Sequence, residues 1–179
     1  LDNDGNVYTF GSNYNGQLGI GIDRYSLEST HTPQKVTLPS CIQVSCGDNF
    51  TICLTENGEV YSFGYNVHGQ LGLGNNINSF NSPQKIEVLT NIEFIECGSL
   101  HIFVKNVNND TYFWGGNNFG QLGIGNSDNQ IAPVLFSSLP SESIVDIKCG
   151  WAHTLILTSN GDVLSCGSNY HGQLGRETA

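Results

Sequence analysis

Asp48, His101 and His153 are the side chains of this 179-residue chain best suited by type to move a proton. They stand in three versions of one short stretch: Cys46-Gly-Asp-Asn-Phe50, Cys97-Gly-Ser-Leu-His101 and Cys149-Gly-Trp-Ala-His153. A carboxylate and an imidazole brought together from successive copies would make an acid–base pair. Other catalytic patterns are missing. No Ser-His-Asp or Cys-His spacing occurs, and no G-x-G-x-x-G opens a helix. Gly19-Ile-Gly21 and Gly72-Leu-Gly74 are loop glycines of a repeat. The six cysteines contain no C-x-x-C pair, so zinc is not indicated and no cofactor or metal is expected. An independent enzyme is the class least expected.

Charge narrows the partners. The net charge is -10, and the six basic residues, Arg24, Lys35, Lys85, Lys105, Lys148 and Arg176, are scattered. Nucleic-acid binding needs clustered Lys and Arg to displace phosphate counterions, so direct binding of DNA or RNA is not expected. An acidic surface suits a basic protein partner and also serves solubility. No apolar run approaches the ~18 residues of a membrane-spanning helix, so no membrane partner is expected. Cys46, Cys97 and Cys149 each precede a glycine at one repeat position, which reads as small buried residues in separate units rather than a disulfide framework. That favours a reducing compartment, cytoplasmic or nuclear. Asn49-Phe-Thr51 and Asn109-Asp-Thr111 then match the glycosylation pattern by chance. The chain begins at Leu1 in mid-repeat, which reads as a piece of a longer protein.

The positioning elements follow from a nonapeptide that occurs four times: Gly11-Ser-Asn-Tyr-Asn-Gly-Gln-Leu-Gly19, Gly64 to Gly72, Gly115 to Gly123 and Gly167 to Gly175. Its first glycines are 53, 51 and 52 residues apart. A fixed period of this size is the mark of a repeat architecture. Each unit predicts four short strands. In the clearest copy these are Ile42–Cys46, Phe50–Leu54, Val60–Phe63 and Pro83–Val88, with a tight hairpin turn at Gly58. Asn109 replaces the hairpin glycine of Gly5, Gly58 and Gly161, as the next best residue for a left-handed position. Fourth strands are also predicted at Pro33–Thr37 and Pro133–Phe136, with proline opening an edge strand. The polar segments 21–32, 74–82 and 124–132 read as surface loops. Leu18, Leu71, Leu122 and Leu174 read as apolar plugs, and Asn13, Asn66, Asn117 and Asn169 as bonds to the loop backbone.

The fold class is therefore all-β: β-propeller blades of four antiparallel strands. Residues 1–179 form a partial propeller. Residues 1–38 are the back part of a blade, 41–89 and 92–140 are blades, and 144–179 are the front part of another. A half-propeller would expose strand edges, so the remaining blades are expected from the parent chain or a second chain.

Cys149-Gly-Trp-Ala-His-Thr154, Gly161-Asp-Val163 and Gly167 to Gly175 resemble the repeat of the regulator of chromosome condensation family. The likeness recurs four times and covers the whole chain. It implies a seven-bladed propeller of about 360 residues at this period. The founding member is a nucleotide exchange factor for the GTPase Ran, and the resemblance places Asp48 where that family often has a functional aspartate. A second aspartate would fall at Leu100 and is absent. The family's ultraviolet sensors cluster tryptophans in a similar turn, but here the equivalents of Trp151 are Asp48 and Ser99. Chromatin docking in the family uses basic loops, which are not clustered here.

The function expected is a non-enzymatic module that binds a protein partner through loops on one face. The alternative is exchange activity on a Ran-like small GTPase. The residues expected at that face are Asp48, Asn49, Phe50, Ser99, Leu100, His101, Trp151, Ala152 and His153. They differ between copies while their surroundings do not, as expected when loops on a rigid scaffold carry function. The nonapeptide is read as structural cement.

Overall fold

The structure, a computed structural model, describes residues 1–75, 77–137 and 144–177. Every regular element among them is a strand. β1 (Tyr8–Ser12) and β2 (Ser29–Lys35) form a two-stranded sheet. β3 (Cys41–Cys46), β4 (Phe50–Thr55), β5 (Val60–Tyr65) and β6 (Ser79–Lys85) form the second sheet, in that order. β7 (Ile92–Cys97), β8 (His101–Asn106), β9 (Thr111–Gly115) and β10 (Gln130–Leu135) form the third. β11 (Ile144–Cys149), β12 (His153–Thr158) and β13 (Val163–Gly167) form the fourth. All pairings are antiparallel. These are propeller blades in sequence order.

The second and third strands of each blade meet in a tight hairpin. Its left-handed position is Gly58 (φ 74°) in one blade and Asn109 (φ 66°) in the next, as the repeat alignment predicts. A polar side chain at the hairpin entrance ties the turn. Thr55 Oγ1 accepts from Glu59 N (3.1 Å), and Asn106 Oδ1 accepts from Asn108 N and Asp110 N (2.9 Å each).

The fourth strands begin earlier than predicted. They run Ser29–Lys35, Ser79–Lys85 and Gln130–Leu135, so each proline lies inside its strand and the loops are shorter than expected. Register explains this. Ser62 pairs with Gln84 and Gly64 with Phe80, so Phe63 alone stands opposite Asn81, Ser82 and Pro83. The same shift recurs at Pro33 and Pro133. The bulge takes proline off the ladder, where its missing N–H costs nothing.

Blades join through apolar faces. One core gathers Phe50, Ile52, Leu54, Val60, Leu71 and Ile86 of the second blade with Ile92, Ile95, Ile102, Val104 and Trp114 of the third. A second holds Val7 and Val36 against Cys41, Cys53 and Phe63, and a third holds Phe103, Phe113 and Leu122 against Ile147 and Ile156. Alternate residues of β8 therefore point to opposite neighbours: Ile102 and Val104 one way, Phe103 the other. All four plug leucines are buried, being at most 7% exposed, and Leu71 and Leu122 fill inter-blade joints. The first strands lie side by side across blades, and Gln43 binds the β7 backbone, donating to Ile95 O (2.7 Å) and accepting from Ile95 N (3.2 Å). On the fourth sheet Leu157 and Val163 are exposed, whereas their equivalents Leu54 and Val60 are fully buried beneath the third blade.

The six cysteines stand as free thiols. Cys46 is exposed, contrary to the expectation that it is a buried small residue, because it ends β3 at the rim. Burial holds the Cys97 and Cys149 thiols above their ordinary range. Among the described residues no cluster of three metal-ligating side chains occurs, and no helix is long and apolar enough to cross a membrane.

Candidate functional site: the turn-and-loop face

The Cys-Gly turns link first to second strands, and the nonapeptides follow third strands. Antiparallel order therefore places both on one face of the propeller. Backbone bonds join them within each blade: Tyr65 N to Asn49 O (2.8 Å), Gly116 N to Leu100 O (2.7 Å) and Ser168 N to Ala152 O (2.8 Å).

The motif letters acquire distinct duties. The glycine after each cysteine lies beneath the ring three residues on. A Cβ at Gly47, Gly98 or Gly150 would stand 1.9, 2.1 and 2.0 Å from Phe50, His101 and His153. The next residue stitches blade to blade. Asp48 N donates to Ser99 O (3.0 Å), and Ser99 N donates to Trp151 O (3.2 Å). The Ser99 hydroxyl also donates to Asp48 Oδ2 (2.5 Å).

His101 bonds the neighbouring blade. Thr154 Oγ1 donates to Gln121 O (2.8 Å), so its oxygen accepts from His101 Nε2–H at 2.9 Å. That fixes the neutral tautomer and leaves Nδ1 buried, with no partner among the described residues. Burial, with His153 adding, lowers the imidazole pKa to about 4. Asp48 and His101 do not form an acid–base pair: one is committed to Ser99, the other to Thr154.

Each nonapeptide is closed by its asparagine. Asn66 Oδ1 accepts from Leu71 N (3.0 Å), while Nδ2 donates to Asn75 O (3.4 Å) and Ile77 O (2.8 Å). Asn13 and Asn117 do the same in their loops. The glutamine folds back: Gln70 Oε1 accepts from His68 N (2.9 Å), and Gln121 Oε1 from Phe119 N (3.0 Å).

The nine expected face residues divide by exposure. Asp48 and Trp151 are exposed, while Asn49, Leu100 and His153 are half-buried. Phe50, Ser99, His101 and Ala152 are buried and address the neighbouring blade or their own turn. The structure adds residues that sequence reasoning passed over. Inside the nonapeptide, Tyr14, Val67, Phe119 and Tyr170 are more than half exposed, and the rings of Phe119 and Trp151 pack at 5.8 Å across the third and fourth blades. The signal was present in the sequence. The fourth and fifth nonapeptide positions read Tyr-Asn, Val-His, Asn-Phe and Tyr-His and, apart from the second, are the positions that vary between copies.

The sequence profile of the RCC1-like domain matches residues 1–179. The probable E3 ubiquitin-protein ligase HERC6 of Homo sapiens is 37% identical over 179 residues, covering 96% of this chain and 17% of that protein. The serine/threonine-protein kinase Nek9 of Xenopus laevis is 34% identical over 168 residues, covering 92% of this chain and 18% of that protein. Thus the chain spans under a fifth of either relative. Among solved structures, Prp20p from Saccharomyces cerevisiae superposes with a TM-score of 0.79 at 25% identity, over 97% of this chain and 42% of that one. Yeast RCC1 bound to Kap60 gives a TM-score of 0.75 at 26% identity, over 91% of this chain and 38% of that one.

Proposed function

The chain belongs to the RCC1-like domain family, and from that membership we propose that it is a non-enzymatic propeller module that binds a protein partner through its turn-and-loop face. The observation that carries this reading is the exposed ring pair Trp151–Phe119, 63% and 53% exposed on a bonded scaffold. Large aromatics held rigid on a surface are the usual anchors of protein interfaces, each worth about 2 kcal/mol or more when buried by a partner. Asp48, Asn49, Leu100 and His153 form the rest of the face. In this reading the remaining blades come from the parent chain or a second chain. The relatives named as a ubiquitin ligase and a kinase suggest a recognition part beside a catalytic domain, working in the cytoplasm or nucleus. The test is quantitative affinity purification with full-length protein. Trp151→Ala with Phe119→Ala should deplete a defined set of partners at unchanged abundance and melting temperature. An unaltered partner set would overturn the choice of face.

A second reading is nucleotide exchange on a Ran-like GTPase. It draws on the likeness to Prp20p, whose structure is described together with its binding to Gsp1p and histones, and on the exposed carboxylate of Asp48. Release of labelled GDP from a panel of small GTPases tests it. Absence of acceleration by the folded full-length protein sinks it.

A further inference from the structure

The same face carries a second feature at the junction of the first and second blades. A groove of about 540 Å³ opens between the loop after β1 and the start of β6. Tyr14, Tyr25, Tyr65, Val67 and Phe80 line it, with Arg24 among them. Its base is rigid. Gly16 lies directly against the backbone of Phe80 and Asn81, and Gly21 N donates to Asn81 O at 2.7 Å.

Arg24 is held in place without being neutralised. Its guanidinium stacks over the Tyr14 ring (4.8 Å) and the Tyr25 ring (4.9 Å), and it donates to Tyr25 Oη (2.8 Å). The ion pairs among the described residues use Lys85, Lys105 and Lys148, and none uses Arg24. Asp23, next in sequence, spends one carboxylate oxygen on Tyr25 N and Ser26 N, at 2.9 Å each, which shapes the turn. A guanidinium has five N–H donors, and one of them is engaged by a side chain. Two ring contacts and one hydrogen bond orient the guanidinium plane, which reduces the side-chain entropy lost on binding.

We propose that this groove binds an extended segment of a protein partner by a glutamate or aspartate side chain on Arg24, with apolar neighbours of that residue against Tyr14, Tyr25, Tyr65 and Val67. Charge chooses the occupant. Arg24 is an unpaired cation in a chain of net charge -10, so an anionic group gains there what it gains nowhere else along the groove. A single guanidinium beside Asp23 matches one carboxylate charge; a phosphate would call for further cations, and the groove has none. The site lies at a different junction from Trp151 and stands or falls independently of it.

The probe is an array of short peptides with a central glutamate between positions drawn from Leu, Phe, Pro and Tyr, with matched arrays carrying glutamine or phosphoserine at the centre. Full-length protein should retain glutamate peptides over their glutamine counterparts by about tenfold in affinity. Arg24→Gln should erase that preference, Arg24→Lys should restore part of it, and neither should move the melting temperature. The proposal is overturned by no retention of any array, by equal binding of glutamate and glutamine, by stronger binding of phosphoserine, or by a preference that survives Arg24→Gln.

Discussion

Two inter-blade junctions share one backbone geometry and solve it with different chemistry. Between the second and third blades, Phe50 and Ile102 share one apolar core, and the carbonyl of Gln70 takes the indole N–H of Trp114 at 3.0 Å. Between the third and fourth, the equivalent residues are His101, Thr154 and Cys166. His101 bonds Thr154, and the carbonyl of Gln121 takes the Thr154 hydroxyl at 2.8 Å and the Cys166 thiol at 3.4 Å. Three letters change together, and each joint leaves one buried nitrogen without a partner among the described residues: Gln70 Nε2 at the first and His101 Nδ1 at the second. Variation in the Cys-Gly turns is therefore of two kinds. Where the residue is buried, as at His101, it is matched to a buried partner on the neighbouring blade; where it is exposed, as at Trp151, its cross-blade partner Phe119 is exposed as well.

The largest expected effect breaks the apolar junction. Trp114→Ala removes a fully buried indole and orphans the Gln70 carbonyl, at a cost of about 4 kcal/mol in urea denaturation. Cys166→Ala, at the equivalent place, should cost under about 1 kcal/mol, because Thr154 still serves Gln121. Equal losses would show that the joints are not alternative solutions.

Acid separates the junctions next. The folded pKa of His101, about 4, lies below its ordinary 6.5, so between those values the unfolded chain binds the extra proton. Stability from this joint is whole above pH 6.5, falls as pH drops through the window and levels off near 4. The loss amounts to about 3 kcal/mol at most. Phe50 does not titrate. Denaturation midpoints across this range should fall less steeply in a His101→Phe, Thr154→Ile variant, which copies the apolar joint; identical profiles would remove His101 as the cause.

The same pair gives a smaller, purely energetic test. Thr154→Ile alone strands the His101 Nε2–H, whereas the double variant puts Phe beside Ile as at Phe50 and Ile102. The double should be less destabilised than the sum of its singles by about 1.5 kcal/mol in a double-mutant cycle. Additivity would mean that the residues do not act as a pair.

Much of this architecture could be read from the chain. Strand periodicity, hairpin turns and the Asn109 exchange sit in local sequence, where backbone sterics act over a few residues. The fourth strands were misplaced because proline reads as a strand boundary. Its tolerance inside β6 depends on a bulge opposite Phe63, which is a fact of pairing. The candidate face was legible in part for the same reason. Asp48 and Trp151 announce themselves by differing from their equivalents, but so does His101, and only the neighbouring Thr154 shows that it is an internal bond. Phe119 was hidden by the constancy of the motif around it. Arg24 was one scattered cation among six until the fold set it between two tyrosines.

The smallest effect concerns a place where the matching of neighbours is incomplete. Gln17 and Gln70 hold the same position in successive nonapeptides. Gln17 Nε2 donates to Asn49 Oδ1 at 3.2 Å. Asn49 is replaced by Leu100 in the next blade, and Gln70 Nε2 is buried there with no partner among the described residues. An unmet buried donor costs about 1–3 kcal/mol, and a half-buried leucine returns less than its full burial value. Leu100→Asn should therefore stabilise the full-length protein by about 0.5–1 kcal/mol, the leucine's partial burial offsetting the rest of the gain. Leu100→Ala supplies the reference, since it loses the same apolar contact and offers no acceptor. A stability for Leu100→Asn above that of Leu100→Ala, vanishing when Gln70→Leu is added to both, assigns the gain to the amide bond. If Asn and Ala behave alike, the two junctions differ by more than the residues facing each other, and the residue-for-residue matching drawn from Phe50, His101 and their partners does not extend to the glutamines.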